Sequence, residues 1–264
     1  MTPLFRAALL VPLLTACAAP APEVTRAAGP TVIFEAGLGD TASVWSGVDT
    51  PPGLGRFAWT RAGYGFGADL VAGQSWPGDA DGRRTGAEVT AQLGQALAKA
   101  QAGPPYILVG HSIGALYVLD FARTHPEAVK GIVLVDPRLP GFTARCKAAH
   151  LHGCEIPPLL RLTLSEVERI ELDGVPETEA ALRDLGALRD IPLTILLAEK
   201  AGLGEDPRWR AVWADHARAF AAGFSHARLI PVASGHYIQT TAPDQVSAAI
   251  RAVSRQDRRA ESAE

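Results

Sequence analysis

Short apolar runs alternate along this chain with stretches in which apolar residues recur every three or four positions. Thr31–Glu35, Phe57–Thr60, Tyr106–Val109, Gly131–Val135, Ile191–Ala198 and Arg228–Val232 read as strands. Between them lie helical patterns. Thr85-Gly86-Ala87-Glu88 forms a capping box, and Val89, Leu93, Ala96, Leu97 and Ala100 then share one helical face. Further helices are expected over Ile113–Ala122, Arg208–Ala222 and Pro243–Val253, the last with proline near its first position. Gly103-Pro104-Pro105 and His125-Pro126 mark helix ends. The strands are apolar throughout rather than alternating with polar residues. That pattern predicts a doubly wound, mostly parallel α/β sheet covered on both faces. The rhythm breaks between Pro137 and Asp190, where two weak helical patterns occur, Leu164–Leu172 and Thr178–Leu188. This predicts a small cap, about 138–190, inserted after the strand ending at Val135. No internal repeat is visible.

Composition adds little to the core reading and much to the termini. With 264 residues the chain can bury one large core, and its net charge of −3 offers no argument for nucleic acid. The histidines are scattered and the cysteines lack zinc spacing, so no metal is expected. Arg6 precedes a short apolar stretch, Ala7–Leu14, and Leu14-Thr15-Ala16-Cys17 follows. This predicts a signal peptide over 1–16 and lipidation of Cys17, which resembles a bacterial lipobox. The expected product is an envelope protein anchored to the membrane by lipid, with simple secretion as the alternative. Residues 17–29, rich in Ala and Pro, read as a tether, 30–253 as the folded domain, and 254–264 as a disordered charged tail. Export makes Cys146 and Cys154 a candidate disulfide, with two free thiols as the alternative.

The most telling segment is Gly110-His111-Ser112-Ile113-Gly114, between a strand and a helix. It is a G-x-S-x-G nucleophile elbow, in which a strained turn lifts the serine hydroxyl above the sheet edge. A serine hydroxyl needs a base at neutral pH, and histidine has the right intrinsic pKa.

From about residue 30 to residue 253 the chain resembles the α/β-hydrolase fold family, and is most similar to its exported bacterial esterase-like members. The resemblance rests on Glu35-Ala36-Gly37-Leu38-Gly39, Arg61-Ala62-Gly63-Tyr64-Gly65, Gly110–Gly114, Val133-Leu134-Val135-Asp136 and Ser234-Gly235-His236-Tyr237. It implies Ser112 as nucleophile and His236 as base. The acid is expected at one of two strand ends: Asp136 after the first, with Glu199 or, less plausibly, Glu205 or Asp206 after the next as the alternatives. The Gly-x-x-Asp turn common at the second place is missing from Ala198-Glu199-Lys200-Ala201-Gly202. The resemblance implies oxyanion donors at the Leu38 and Ile113 amides, although Glu35-Ala36-Gly37 stands where His-Gly is frequent. Arg61-Ala62-Gly63-Tyr64-Gly65 is expected to shape the pocket floor, His111 to be a structural or wall residue, and Trp45, Trp59 and Trp76 to fill the core, with lining of the pocket as the alternative. The implied activity is hydrolysis of carboxylic esters, thioesters or lactones with no cofactor. Transfer of the acyl group to another acceptor, cofactor-free perhydrolysis and a non-catalytic binding lipoprotein are the other readings. Oligomeric state is not legible.

Overall fold

Successive residues of each apolar run enter opposite layers of the molecule, which is why whole strands can be hydrophobic. In the computed structural model, which describes residues 21–65, 79, 81–202 and 206–256, Val32 and Phe34 pack with Ile107, Val109, Val133 and Val135 on one face. Ile33 packs with Leu108, Ile132 and Leu134 on the other. Each such fully buried aliphatic side chain contributes roughly 1.5–3 kcal/mol of transfer free energy.

The strands are β1 (Glu23–Thr25), β2 (Thr31–Glu35), β3 (Gly55–Ala58), β4 (Tyr106–His111), β5 (Val129–Val135), β6 (Leu193–Ala198) and β7 (Ala227–Val232). Their order across the sheet is β1-β3-β2-β4-β5-β6-β7. All neighbouring pairs are parallel except β1 with β3. The chain steps from β2 to β3 on one side and returns to place β4 on the other. The carboxyl ends of β2 and β4 therefore flank a switch in winding direction, where α/β sheets open a crevice. β1 lies inside the stretch expected to be a tether. Three backbone pairs dock it on β3 as an antiparallel edge, Glu23 opposite Ala58, Val24 opposite Phe57 and Thr25 opposite Arg56.

Helix α1 (Gly86–Ala100) starts at the expected capping box, with Thr85 and Glu88 each accepting from the other's backbone amide. It packs on α2 (Gly114–Thr124), whose buried face covers β4. α8 (Pro243–Arg255) covers the opposite face, with Val246, Ala249, Ile250 and Val253 buried. α6 (Pro207–Ala221) flanks β6 and β7, and the short α7 (Ile238–Thr241) leads into α8.

The region between β5 and β6 holds α3 (Phe142–Ala148), α4 (Pro158–Arg161) and α5 (Glu166–Ala181). Two separate helical patterns were expected here. Instead one helix runs through Gly174 and Pro176, and after Ala181 only a 3-10 turn, Gly186–Leu188, remains. Tertiary contact overrides the two weak helix formers. A Cβ at Gly174 would stand 2.0 Å from the Arg84 carbonyl oxygen, so only glycine admits this approach. Thr178 Oγ1 meanwhile accepts from Gly86 N at 2.8 Å, tying α5 to the start of α1. Cys146 and Cys154 are joined in a disulfide across a loop next to α3. Among the described residues no helix is long and apolar enough to cross a membrane. Residues 1–16, Cys17, Trp76 and Glu205 lie outside the described residues.

Candidate active site

Ser112 sits between β4 and α2 with φ +52°, a left-handed conformation that costs a non-glycine residue roughly 1–3 kcal/mol. The surroundings enforce it. Ser112 N donates to Val135 O at 3.2 Å, and Ser112 O accepts from Arg138 N at 2.9 Å, so the turn is clamped to the end of β5. A Cβ at Gly110 would lie 2.8 Å from Gly114 O and 2.9 Å from Ala115 Cα, the collision expected where strand and helix converge. Gly114 is needed for a different contact: its Cβ would stand 2.5 Å from Ala36 O and 2.6 Å from Glu35 O. The start of α2 thus abuts the loop leaving β2.

That loop carries Leu38, partly buried against the core, and Gly39, whose φ is +77°. Ile113 is buried and is the N-cap residue of α2. A Cβ at Gly37 would meet His111 Nδ1 and Asp40 Oδ2, each at 2.8 Å. The two segments expected to supply oxyanion donors are therefore in close contact beside Ser112.

Asp136 follows β5 with φ +37° and is fully buried. Its Oδ1 accepts from Ala198 N at 3.1 Å. Its Oδ2 accepts from His236 Nδ1 at 2.6 Å and from Arg210 Nη1 at 2.7 Å. Burial alone would raise the pKa of this carboxyl, but the His236 and Arg210 contacts outweigh it and the pKa is lowered. An ionised carboxylate only accepts, so His236 Nδ1 carries a hydrogen. In the neutral ring of this partly exposed side chain, Nε2 is then the nitrogen able to take a proton.

His236 lies on the loop between β7 and α7, and its backbone is also held. Lys200 N donates to Ser234 O at 2.9 Å, and the His111 ring nitrogen Nε2 stands 3.1 Å from His236 O. A carbonyl only accepts, so His111 Nε2 is the donor. Burial lowers the pKa of His111; Asp40 opposes this from 3.6 Å, beyond hydrogen-bond reach of Nδ1. His111 is thus both wall and brace: its ring centroid lies 4.6 Å from that of His236.

The other acid candidates are elsewhere. Glu199 is exposed just beyond β6. Asp206 caps α6, accepting from Arg208 N at 2.9 Å and pairing with the Arg208 guanidinium at 2.8 Å. Among the described residues, no group of three or more His, Cys, Asp and Glu is placed to hold a metal ion.

Two features of the neighbourhood were not expected from the sequence. Arg210 on α6 shares the Asp136 oxygen with His236, and nothing in its local sequence signals this. Behind the Leu38 loop lies a buried charge network, Glu35–Arg61–Glu171–Arg84–Asp79. Arg61 was expected on a pocket floor; it is 1% exposed and bound on every side. A carboxylate at the end of an apolar strand, Glu35, was the available signal, since a buried anion demands a cation. Burial raises the Glu35 pKa although Arg61 and Trp59 bind its carboxylate.

Residues 32–249 match the model of the alpha/beta hydrolase family. Among curated proteins, the chain is 34% identical over 113 residues to the uncharacterized protein YqjL of Bacillus subtilis, a match covering 42% of this chain and 41% of that protein. The matched segment thus spans less than half the length of that relative. Among solved structures, a hydrolase from Pseudomonas aeruginosa PA01 aligns with TM-score 0.56 at 17% identity, covering 89% of this chain and 94% of the other. A haloalkane dehalogenase DbeA-M1 loop variant from Bradyrhizobium elkanii aligns with TM-score 0.57 at 15% identity, covering 89% and 95%. At these identities the structural likenesses show a shared fold.

Proposed function

This chain belongs to the alpha/beta hydrolase family, and on that footing we propose that it is a serine hydrolase cleaving carboxylic esters, with thioesters and lactones as chemical neighbours. The observation that carries this reading is the 2.6 Å contact of His236 Nδ1 with the buried Asp136 carboxylate, made beside the strand end that clamps the Ser112 turn.

In the proposed cycle Ser112 Oγ attacks the substrate carbonyl while His236 Nε2 takes its proton. Asp136 holds the ring in that tautomer and stabilises the imidazolium. The negative charge that develops on the carbonyl oxygen is met by the Leu38 and Ile113 amides. Collapse of the tetrahedral adduct breaks the ester C–O bond, and the imidazolium returns its proton to the departing alcohol. Water, deprotonated by His236, then attacks the acyl-serine; collapse of this second adduct breaks the bond from the acyl carbon to Ser112 Oγ, the imidazolium returns its proton to Oγ, and the acid is released.

A fluorophosphonate probe tests this directly. Wild type should be labelled at Ser112 and Ser112→Ala should not. Folded wild-type protein that resists the probe would overturn the reading and favour a binding role. A chain-length series of nitrophenyl esters then defines the acyl preference, and added alcohols or peroxide separate hydrolysis from transfer and perhydrolysis.

We further propose that the protein is exported and held on a membrane by lipid on Cys17. The lipobox-like Leu14-Thr15-Ala16-Cys17 supports this, as does the Cys146–Cys154 bridge, since disulfides persist in oxidising compartments. The full chain expressed in a bacterial host should partition into detergent, whereas Cys17→Ser should partition into water. Equal partitioning of the two would argue for plain secretion.

A further inference from the structure

The buried network behind the Leu38 loop does more than neutralise itself. Arg61 has five N–H donors, and each meets an acceptor. Nε donates to Glu171 Oε1 at 2.7 Å, and Nη2 donates to Glu171 Oε2 at 2.9 Å. Nη1 donates to Glu35 Oε1 at 2.5 Å. The two remaining donors reach backbone: Nη1 to Ala36 O and Nη2 to Gly37 O, both at 2.8 Å. A planar fork with every donor engaged has no rotational freedom left.

The second carbonyl is the informative one. Gly37 C=O and Leu38 N–H belong to one peptide plane, and in a trans peptide they point in opposite directions. Fixing the carbonyl on Arg61 therefore fixes the aim of the Leu38 N–H, away from the network. The first carbonyl, Ala36 O, is the atom against which Gly114 packs beside Ser112. The same guanidinium thus sets both the orientation of the loop and its distance from the elbow.

Glu171 comes from α5, in the cap, 110 residues along the chain from Arg61. It is held in turn by Tyr64 OH at 2.9 Å and Arg84 Nη1 at 3.2 Å, and Arg84 is anchored on Asp79 at 2.6 Å. All of these side chains are buried. A salt bridge needed only to attach the cap would not require an arginine whose other donors end on the oxyanion loop.

We propose that Arg61 and Glu171 are positioning residues for the oxyanion hole, so that seating of the cap helix sets the aim of the Leu38 amide. This rests on the serine-hydrolase reading given above. Neither residue touches substrate; each acts through the Gly37–Leu38 peptide.

Steady-state hydrolysis of a nitrophenyl ester, with active sites counted by fluorophosphonate titration, provides the test. Counting sites removes any unfolded fraction from the rate. Arg61→Lys and Glu171→Gln should lower kcat per titrated site by about 10–100-fold, short of the loss from deleting an oxyanion donor. KM should stay within about threefold, because the donor acts on charge formed in the transition state. The pH profile should keep its wild-type shape, since His236 and Asp136 are untouched. Affinity for a boronic acid, which adds to the serine as a tetrahedral anion, should fall in parallel with kcat. Should both variants fail to fold, Tyr64→Phe, which removes one bond to Glu171, carries the test with a drop of about 2–5-fold per titrated site. Wild-type kcat per titrated site in a folded Arg61→Lys or Glu171→Gln, or in Tyr64→Phe if that variant carries the test, overturns the proposal. Loss confined to KM also overturns it. Absence of labelling in wild type is a different result, and sinks the hydrolase reading itself.

Discussion

Two charged regions flank Ser112 and are built on opposite plans. On one side Asp136 is buried while the His236 side chain remains 35% exposed, and a single carboxylate oxygen serves both His236 and Arg210. On the other side three carboxylates and two guanidiniums, those of Glu35, Glu171, Asp79, Arg61 and Arg84, are sunk behind the Leu38 loop. The first arrangement leaves the His236 ring partly exposed, as the proposed proton exchange with substrate and water requires. The second leaves no donor of Arg61 uncommitted and suits a group that must stay still. Proton transfer needs access; aiming an amide needs rigidity, and rigidity here comes from burying charge at a cost that only complete pairing offsets.

Breaking the exposed side should have the largest effect. Asp136→Asn is expected to lower kcat by about 10³–10⁴-fold with the fold intact, because the wrong tautomer of His236 is favoured. Glu199→Gln should leave the rate unchanged. Equal loss in both, measured as kcat on folded protein, would move the acid away from Asp136.

Breaking the buried side should show first in stability. Arg61→Ala strands two carboxylates without their shared partner, and about 3–5 kcal/mol should be lost in urea titration. A loss under about 1 kcal/mol would mean that water or a neighbour already satisfies Glu35 and Glu171, and that the two regions differ less than their burial suggests.

A third variant separates the cap from the network. Cys146→Ser opens a bridge between residues eight apart, which in the chain-entropy model stabilises by about 2–3 kcal/mol. The urea midpoint should fall while kcat per titrated site stays at the wild-type value. A parallel fall in kcat would show that general loosening of the cap, rather than the Arg61–Glu171 contact, controls the rate.

The smallest effect distinguishes the sides by the sign of their pH dependence. The Asp136 pKa is lowered in the fold, so its contribution is present above the unfolded value of about 3.9 and is lost as pH falls through the depressed folded value. The Glu35 pKa is raised, so between the unfolded value of about 4.3 and its raised value the fold holds the extra proton and stability declines as pH rises. Urea midpoints across these windows should therefore lose an upward slope with pH in Asp136→Asn and a downward slope in Glu35→Gln. Slopes that change in the same direction would show that one assignment is reversed.

Much of this was legible in the residues alone. The Gly110–Gly114 turn announced itself because the steric demand at Ser112 is met by residues two positions away. The Thr85–Glu88 box began α1 for the same local reason. The family resemblance, rather than the residues by themselves, put His236 on the loop after the last strand and Asp136 among the candidate acids. Less legible were α5, where Gly174 and Pro176 look like a break until the Arg84 carbonyl is seen against Gly174, and β1, whose pairing with β3 a proline-rich segment does not advertise.

Periodicity thus determined the layered sheet and the Gly110–Gly114 motif the strained serine turn, while the family resemblance supplied the histidine and the short choice of partners for it. Tertiary structure alone decided that His236 meets Asp136 across 100 residues, that Arg210 joins them across 74, and that Glu171 of the cap grips Arg61 across 110. Turns and caps are written in near neighbours, whose geometry the backbone supplies at once. Which distant charges meet depends on strand order and the seating of helices, and a buried charge finds its partner only when the whole sheet has closed around it.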